Sequence, residues 1–201
     1  ENTPLKDVVV ITPEVFGDSR GFFLENWNSR NFKAADLDVN FVQDNTSRSK
    51  KGILRGLHFQ LDQPQGKLVK VARGEVFDVA VDLRRSSPSF GQWFGITLND
   101  VNHKMLWIPE GFAHGFCVTS SIADFQYKCT NYYDPNNEFT LAWNDPSVGI
   151  RWPLPNQKKP ALSAKDTNAL AWFAREILNK PFTQLETSIK INDTLRKRNQ
   201  S

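Results

Sequence analysis

Short runs of β-prone residues recur along most of the chain, with turn residues between them. Runs of this length, bounded by Gly, Pro, Asn, Asp and Ser, are typical of β-strands. We predict strands over residues 8–11, 22–27, 41–46, 54–60, 68–72, 76–83, 94–98, 104–108, 113–118, 123–130 and 141–143. Many short strands at such spacing favour a β-sandwich or a β-barrel.

Two segments predict helices instead. The first is short and begins at Asn28 or Ser29. The second lies near the C-terminus, where Ser163 and Asp166 have the spacing of a capping box and apolar side chains follow at helical intervals. It ends near Asn179, because a proline follows two residues later and cannot continue a helix.

Length and composition indicate one mainly β domain with an aromatic-lined cavity. A chain of 201 residues suits a single domain, which we place at residues 1–180, followed by a polar extension over residues 181–201. The 15 Phe and 6 Trp residues bury large areas, and their flat faces suit sugars or bases.

Charge and cysteine content narrow the function class. A net charge of +3 with a pI near 8.9 is only mildly basic, so charge does not imply nucleic-acid binding. Cys117 and Cys129 lie in apolar runs, and we expect both to be free and buried. Without a signal-peptide pattern or an apolar run of about 18 residues, we expect a cytoplasmic protein that does not span a membrane.

The chain has three histidines, and two of them, His58 and His114, lie in segments that are candidates for a functional site. On the strand over residues 54–60, His58 and Gln60 share one face, because side chains alternate along a strand. His114 follows a strand and a tight turn that contains Pro and Gly. Taken alone, His58 is more often a hydrogen-bonded structural histidine than a reacting one. His103 is expected to be a surface residue at the start of a strand.

The two histidine segments resemble the signature stretches of the cupin superfamily of jelly-roll barrels, the second through the Pro-x-Gly-x-x-His spacing that ends at His114. The first departs from the metal-binding pattern His-x-His, because it holds His58, Phe59 and Gln60, with Lys67 downstream. An ammonium group opposes a divalent cation. We therefore expect a site without metal or other cofactor, in which Lys67 could stabilise an oxyanion.

Six segments together resemble the dTDP-4-dehydrorhamnose 3,5-epimerase family, in the same order and spacing: residues 55–60, 66–69, 74–84, 107–116, 143–146 and 162–166. The resemblance runs from about residue 8 to residue 166. It implies a cupin-type jelly-roll β-barrel or sandwich with a few short helices. It also implies an isomerase that acts on a dTDP-linked 4-keto-6-deoxy sugar, without a nicotinamide.

The resemblance assigns four residues to the reaction. His58, paired with Asp166, removes a proton next to the ketone, Lys67 stabilises the enolate, and Tyr127 returns a proton from the other face. Repeating these steps inverts both C5 and C3 and yields dTDP-4-dehydro-L-rhamnose. A carboxylate fixes the tautomer of an imidazole and supports its protonated form. Asp166 could instead only cap the helix, and Tyr127 could be an ordinary strand aromatic.

The resemblance also assigns ten residues to binding. Arg20 and Arg55 contact the diphosphate, and Tyr133 stacks on the base. The other seven are Glu25, Gln43, Asp44, Asn45, His114, Glu138 and Lys165. Arg20 could instead be a solvated turn residue and Tyr133 a packed loop aromatic. Strict alternation places Arg55 on the face opposite His58, so this assignment requires a bulge beside Gly56.

Other functions remain open from sequence. One is an epimerase that inverts only C3 or only C5, or a keto-isomerase of a related dTDP sugar. Another is a barrel that binds sugar nucleotides without catalysis, although the presence of all four reacting residues disfavours it. The resemblance further implies a homodimer in which N-terminal strands, within residues 8–15, add to the sheet of the partner.

Overall fold

The computed structural model describes residues 1–154 and 159–169. It contains twelve strands and two short helices in these ranges. The strands are β1 (Val9–Ile11), β2 (Val15–Asp18), β3 (Gly21–Leu24), β4 (Gln43–Lys50), β5 (Leu54–Gln60), β6 (Lys67–Arg73), β7 (Glu75–Asp82), β8 (Trp93–Asn99), β9 (Met105–Ile108), β10 (Phe112–Val118), β11 (Ile122–Cys129) and β12 (Glu138–Thr140). The helices are α1 (Ser29–Ala34) and α2 (Ala164–Thr167).

Ten of these strands form two antiparallel sheets of a jelly-roll sandwich. The first sheet has the order β1-β9-β6-β11-β4, and the second has the order β12-β5-β10-β7-β8. Strands β2 and β3 form a separate hairpin. Apolar side chains from both sheets pack into one buried core, with Val69 and Phe125 from the first sheet and Ala80 and Phe116 from the second. The predicted fold class is confirmed.

The outer face of the first sheet is covered by the segment that contains α1. Trp27, Phe32 and Phe41 pack against Met105 and Trp107 on this face. This cover explains the early helix, which begins as predicted: Asn28 is the N-cap, and its side chain accepts a hydrogen bond from the Arg30 N–H.

Most predicted strands are present with shifted ends, such as β4, which runs to Lys50 and not to residue 46, and two larger differences concern β2 and β12. Strand β2 was not predicted, and its residues are all exposed, so no apolar alternation marks it. The last predicted strand, at residues 141–143, is wrong by three positions. The strand is Glu138–Thr140, which pairs with the end of β5. Leu141 and Ala142 follow this strand and are buried, and the main chain of Leu141 exchanges two hydrogen bonds with Leu57 of β5.

Two further expectations concern the cysteines and the C-terminus. Cys117 and Cys129 are both free and buried, as expected. The second helix begins after its predicted N-cap, Ser163. Its predicted continuation to residue 179, and the extension over residues 181–201, lie outside the described residues.

Candidate active site

The ring of His58 contacts the carboxylate of Asp166. His58 Nε2 lies 2.6 Å from Asp166 Oδ1, and the carboxylate is 2% exposed whereas the histidine side chain is 27% exposed. Because the carboxylate accepts the Nε2 proton, the neutral ring carries its lone pair on Nδ1. The Nδ1 atom of His58 is therefore the one that can accept a proton.

Local structure explains how a residue 108 positions away reaches His58. The Leu54 N–H of β5 donates to the Ala161 carbonyl at 3.1 Å, which joins the segment before α2 to the strand. Ser163 then caps the helix by accepting from the Asp166 N–H at 3.2 Å, and its hydroxyl donates to Asp166 Oδ2 at 2.7 Å. Asp166 thus takes part in the cap and in the contact with histidine at once.

The electrostatic surroundings favour a neutral His58 beside a charged Asp166. Burial lowers the pKa of His58, and the hydrogen bond and charge of Asp166 offset only part of this effect. Burial alone would raise the pKa of Asp166, but hydrogen bonds from His58 and Ser163 hold it below its usual value. A neutral imidazole next to a carboxylate is the state required of a general base.

A cavity of about 320 Å³ opens in front of His58, between the two sheets. Ten of the residues that the sequence assigned to the site line it: Gln43, Asn45, Arg55, His58, Lys67, His114, Tyr127, Tyr133, Glu138 and Lys165. Side chains from both sheets, and from the segments that follow their strands, therefore line one cavity.

The bulge that Arg55 required is present. His114 pairs with His58, whereas Phe116 pairs with Arg55, so β5 has one more residue than β10 between these pairs. The extra residue returns Arg55 to the cavity side. Gly56 has a φ of +110°, and a Cβ at this position would lie 2.6 Å from the backbone of Gly115. Only glycine fits this bulge. Arg55 Nε donates to the Ser49 hydroxyl at 2.9 Å, which orients the guanidinium.

His114 forms a second pair with a carboxylate in the cavity wall. Its Nε2 lies 2.9 Å from Asp78 Oδ2, and both side chains are buried. The ring stacks on Phe125, with centroids 5.9 Å apart. The contact with Asp78 and the packing on Phe125 together fix the orientation of the His114 ring, which lines the cavity.

Lys67 and Tyr127 extend from the first sheet toward the same cavity. Burial lowers the pKa of the Lys67 ammonium, which the charges of Cys129 and Asp78 partly oppose. Burial raises the pKa of the Tyr127 hydroxyl, so this group stays protonated at neutral pH. The cavity thus holds the imidazole nitrogen of His58, the amino group of Lys67 and a hydroxyl that can donate a proton.

The donor set at the cavity does not form a metal site. Within residues 1–154 and 159–169, no group of three or more His, Cys, Asp or Glu side chains is arranged to hold a metal ion. The Nε2 atoms of His58 and His114 each contact one carboxylate, and Lys67 lines the same space. An ammonium group and two engaged imidazoles are poor surroundings for a divalent cation.

Glu138 connects the mouth of the cavity to His58. Its Oε1 atom lies 3.8 Å from His58 Nδ1, and its Oε2 atom accepts from the Tyr133 hydroxyl at 2.8 Å and from Lys165 Nζ. The Tyr133 N–H donates to Gln43 Oε1 at 2.9 Å. These contacts join groups from several elements into one network beside the base.

Three of the assigned binding residues lie outside the cavity of this chain. Arg20 is in the turn between β2 and β3, where its side chain is 88% exposed and pairs with Asp18. Glu25 accepts hydrogen bonds from Asn28 and Asn31 beside α1. Asp44 points to the outer face of the first sheet and pairs with Lys128, because alternation along β4 directs it away from Gln43 and Asn45.

The family model described as dTDP-4-dehydrorhamnose 3,5-epimerase matches residues 2–174. This match covers most of the chain. The chain belongs to the dTDP-4-dehydrorhamnose 3,5-epimerase family. It is accordingly an enzyme of the isomerase class.

Individual members of the dTDP-4-dehydrorhamnose 3,5-epimerase family agree with this placement. The enzyme of this name from Salmonella typhimurium is 55% identical over 83% of the chain and 91% of its own length. That from Neisseria gonorrhoeae is 54% identical over 87% of the chain, which spans only 53% of that longer protein. A crystal structure of dTDP-6-deoxy-D-glucose-3,5-epimerase from Legionella pneumophila, in complex with dTDP-4-keto-L-rhamnose, has a TM-score of 0.83 at 49% identity and covers 90% of this chain and 96% of that one.

Several residues of the epimerase cavity were missed by sequence reasoning. Ser47 follows Gln43 and Asn45 on the same face of β4, but the predicted strand ended at residue 46. Asp78 was passed over, although a carboxylate inside an apolar strand marks a buried partner for a cation or an imidazole.

Neither of the two short helices in the described residues has the length and apolar character needed to span a membrane.

Proposed function

We propose that the chain inverts C3 and C5 of dTDP-4-dehydro-6-deoxy-D-glucose and so forms dTDP-4-dehydro-L-rhamnose, a step of dTDP-L-rhamnose biosynthesis. The observation that carries this proposal is the contact of His58 with Asp166 at a cavity that Lys67 and Tyr127 also line. Membership of the epimerase family supports the choice of substrate.

The proposed reaction moves protons only. His58 Nδ1 removes the proton from a carbon next to the 4-keto group, and the electron pair passes to the ketone oxygen. The Lys67 ammonium stabilises the enolate that results. Tyr127 then donates its hydroxyl proton to the opposite face of the carbon, so the centre is inverted. Exchange with solvent then returns His58 to its neutral form and Tyr127 to its protonated form. The same steps at the other neighbour of the ketone complete the reaction, and neither metal nor redox cofactor is needed.

The remaining cavity residues hold the nucleotide in this proposal. Arg55 offers paired N–H donors to the diphosphate, and Tyr133 offers an aromatic face to the base. Gln43, Asn45, His114, Glu138 and Lys165 line the same space and supply polar contacts. Hydrogen bonds already join Gln43 to Asn45 and Tyr133 to both Gln43 and Glu138, which lowers the entropy lost when the ligand binds.

Product identification tests the proposed function. The chain is incubated with dTDP-4-dehydro-6-deoxy-D-glucose, and the sugar product is identified by NMR. We expect dTDP-4-dehydro-L-rhamnose, with an unchanged rate after exhaustive chelation. A product inverted only at C3 or only at C5 would support the narrower epimerase, and a moved keto group would support a keto-isomerase. An unaltered sugar would contradict catalysis, and activity lost on chelation and restored by metal would contradict a metal-free site.

The acidic limb of the pH profile depends on the His58–Asp166 contact. Because burial lowers the pKa of His58, kcat/KM is expected to hold its plateau to below pH about 6.5 and to fall as the ring protonates. Asp166→Asn removes an influence that raises this pKa, so the limb moves to lower pH. The plateau falls by roughly 10²-fold, since the tautomer is no longer fixed. The measurement is kcat/KM against pH.

Ser163→Ala is the matched control for Asp166→Asn. It removes the hydroxyl that donates to Asp166 but keeps the carboxylate on His58. We expect most of the plateau rate to remain. A limb that moves to higher pH in Asp166→Asn, or a plateau equal to that of the unmodified chain, would contradict the proposed role of Asp166.

We also propose that the chain forms a homodimer. Because β1 pairs with β9 of its own chain, we place the interface at the β2–β3 hairpin and not at a strand within residues 8–15. Phe22 and Phe23 on this hairpin are 63% and 68% exposed, and Phe16 is 56% exposed. The hairpin belongs to neither five-stranded sheet. Clustered exposed aromatics mark an interface. Because Arg20 lies at the tip of the hairpin and outside its own cavity, a diphosphate contact of Arg20 would be made in the partner subunit.

Light scattering tests the dimer. The unmodified chain is expected to have twice the monomer mass at micromolar concentration. The double substitution Phe22→Ser and Phe23→Ser replaces two exposed rings with hydroxyl groups, so we expect the monomer mass from a chain that is still folded. Val101→Ser is the control, because this exposed side chain lies outside the hairpin. A dimer that persists in the double variant would contradict the role of the hairpin.

A further inference from the structure

The carboxamide of Gln60 joins two loops beside the cavity mouth. Its Nε2 atom donates to the Gln63 carbonyl at 2.9 Å and to the Tyr132 carbonyl at 3.1 Å. Its Oε1 atom accepts from the Asp134 N–H at 2.9 Å. The side chain is only 6% exposed, so water does not readily replace these bonds.

The partners of Gln60 lie on both sides of Tyr133. The carbonyl of Tyr132 precedes this residue and the N–H of Asp134 follows it, and both are bound by the same carboxamide. Tyr133 as a residue is 51% exposed, so packing does little to fix the direction of its ring. Hydrogen bonds to the backbone around Tyr133, together with the bond from its hydroxyl to Glu138, therefore determine how the ring faces the cavity.

The position of Gln60 in the sequence has a chemical meaning. It lies two residues after His58, where a metal-binding cupin carries the second histidine of its His-x-His pattern. A glutamine there is a poor ligand for a transition metal, but it has two N–H donors and a carbonyl acceptor. All three groups are used here on main-chain atoms of the loops.

We propose that Gln60 is a positioning residue that fixes Tyr133 at the mouth and so sets the affinity for the nucleotide, with little influence on proton transfer. This rests on the proposed function, in which Tyr133 stacks on the base. Tyr133 also donates to Glu138, but His58 is held mainly by Asp166, whose contacts do not involve Gln60. Binding therefore depends on Gln60 more than the chemical step does.

Two variants distinguish the hydrogen bonds of the Gln60 carboxamide from the space that its side chain fills. Gln60→Met keeps the length and loses all three hydrogen bonds. Gln60→Glu keeps the shape and the acceptor, but it places a carboxylate against the two carbonyls. With free dTDP as the probe, we expect the Kd measured by calorimetry to rise about tenfold in both. The value of kcat at saturating substrate is expected to stay within about threefold of the unmodified chain.

A double-mutant cycle shows whether Gln60 acts through Tyr133. In a Tyr133→Ala background, Gln60→Met is expected to change the dTDP affinity by less than about twofold, because the ring it positions is gone. A full tenfold effect in that background would overturn the proposal. So would an unchanged affinity in Gln60→Glu or Gln60→Met, or a loss of kcat as large as the loss of affinity.

The same measurements distinguish this proposal from the proposed function. If the unmodified chain neither binds dTDP nor converts the sugar, the proposed function fails. If the unmodified chain does both and the Gln60 variants match it, only the positioning role fails. Thermal unfolding of every variant identifies those that are folded. If Gln60→Met does not fold, the affinity and kcat of Gln60→Glu decide the proposal.

Discussion

Replacing His58 with asparagine is expected to lower the rate of deuterium incorporation at the sugar carbons by roughly 10³-fold. Asparagine keeps a polar side chain of similar reach, but its amide does not accept a proton at neutral pH. The ketone acidifies the neighbouring C–H bond, and removal of that proton still requires a base with its lone pair directed at the carbon. The rate is measured by NMR in deuterium oxide at pH 7, at saturating substrate.

His103→Asn is the matched control for His58→Asn. His103 lies in the turn before β9 with a φ of 50°, a conformation that asparagine adopts readily, and its ring contacts Phe22 outside the cavity. The control is expected to keep a near-normal rate. The affinity of His58→Asn for dTDP is expected to match that of the unmodified chain. Near-normal exchange in His58→Asn would show that another group is the base.

Tyr127→Phe is expected to separate proton exchange from inversion. His58 can still remove a proton and return one to the same face, so deuterium incorporation continues. Delivery to the opposite face loses its donor, and we expect formation of the inverted product to fall by roughly 10²- to 10³-fold. Because burial raises the pKa of the Tyr127 hydroxyl, this group is a proton donor over the whole neutral range. Both rates are read from one NMR time course.

Tyr132→Phe provides the comparison for Tyr127→Phe. Its side chain is 63% exposed, and only its main-chain groups take part in the hydrogen bonds around the mouth. This variant is expected to keep the ratio of exchange to inversion. If Tyr127→Phe kept that ratio as well, the proton on the opposite face would come from another donor.

The local part of the fold could be predicted from sequence because it follows from side-chain periodicity. Alternation along β7 places Val76 and Ala80 in the core between the sheets and Val79 and Val81 in a second apolar cluster, and Asn28 caps α1 as its position predicts. Strand β2 was missed because the burial that produces alternation is absent from it. The pairing of β12 with β5 was missed because Glu138 and Thr140 are polar, and their strand is defined by hydrogen bonds to a distant segment.

The site could be assembled from sequence only through resemblance. His58 and Asp166 are 108 residues apart, and no periodicity indicates that α2 lies against β5. Strict alternation predicted the wrong face for Arg55, because one extra residue in β5 returns its side chain to the cavity side. The role of Asp78 could not be predicted from β7 alone, because its carboxylate is buried against His114 on the neighbouring strand β10. Contacts between segments far apart in the chain are not encoded in any local pattern.

The most direct test of the account follows deuterium at each sugar carbon. The unmodified chain is incubated with dTDP-4-dehydro-6-deoxy-D-glucose in deuterium oxide, and the proton signals at C3 and C5 are followed by NMR. The account predicts that both signals disappear as the inverted sugar forms, and that both persist with His58→Asn. Formation of the product with protons retained at C3 and C5 would contradict abstraction by His58, and so would the absence of any exchange.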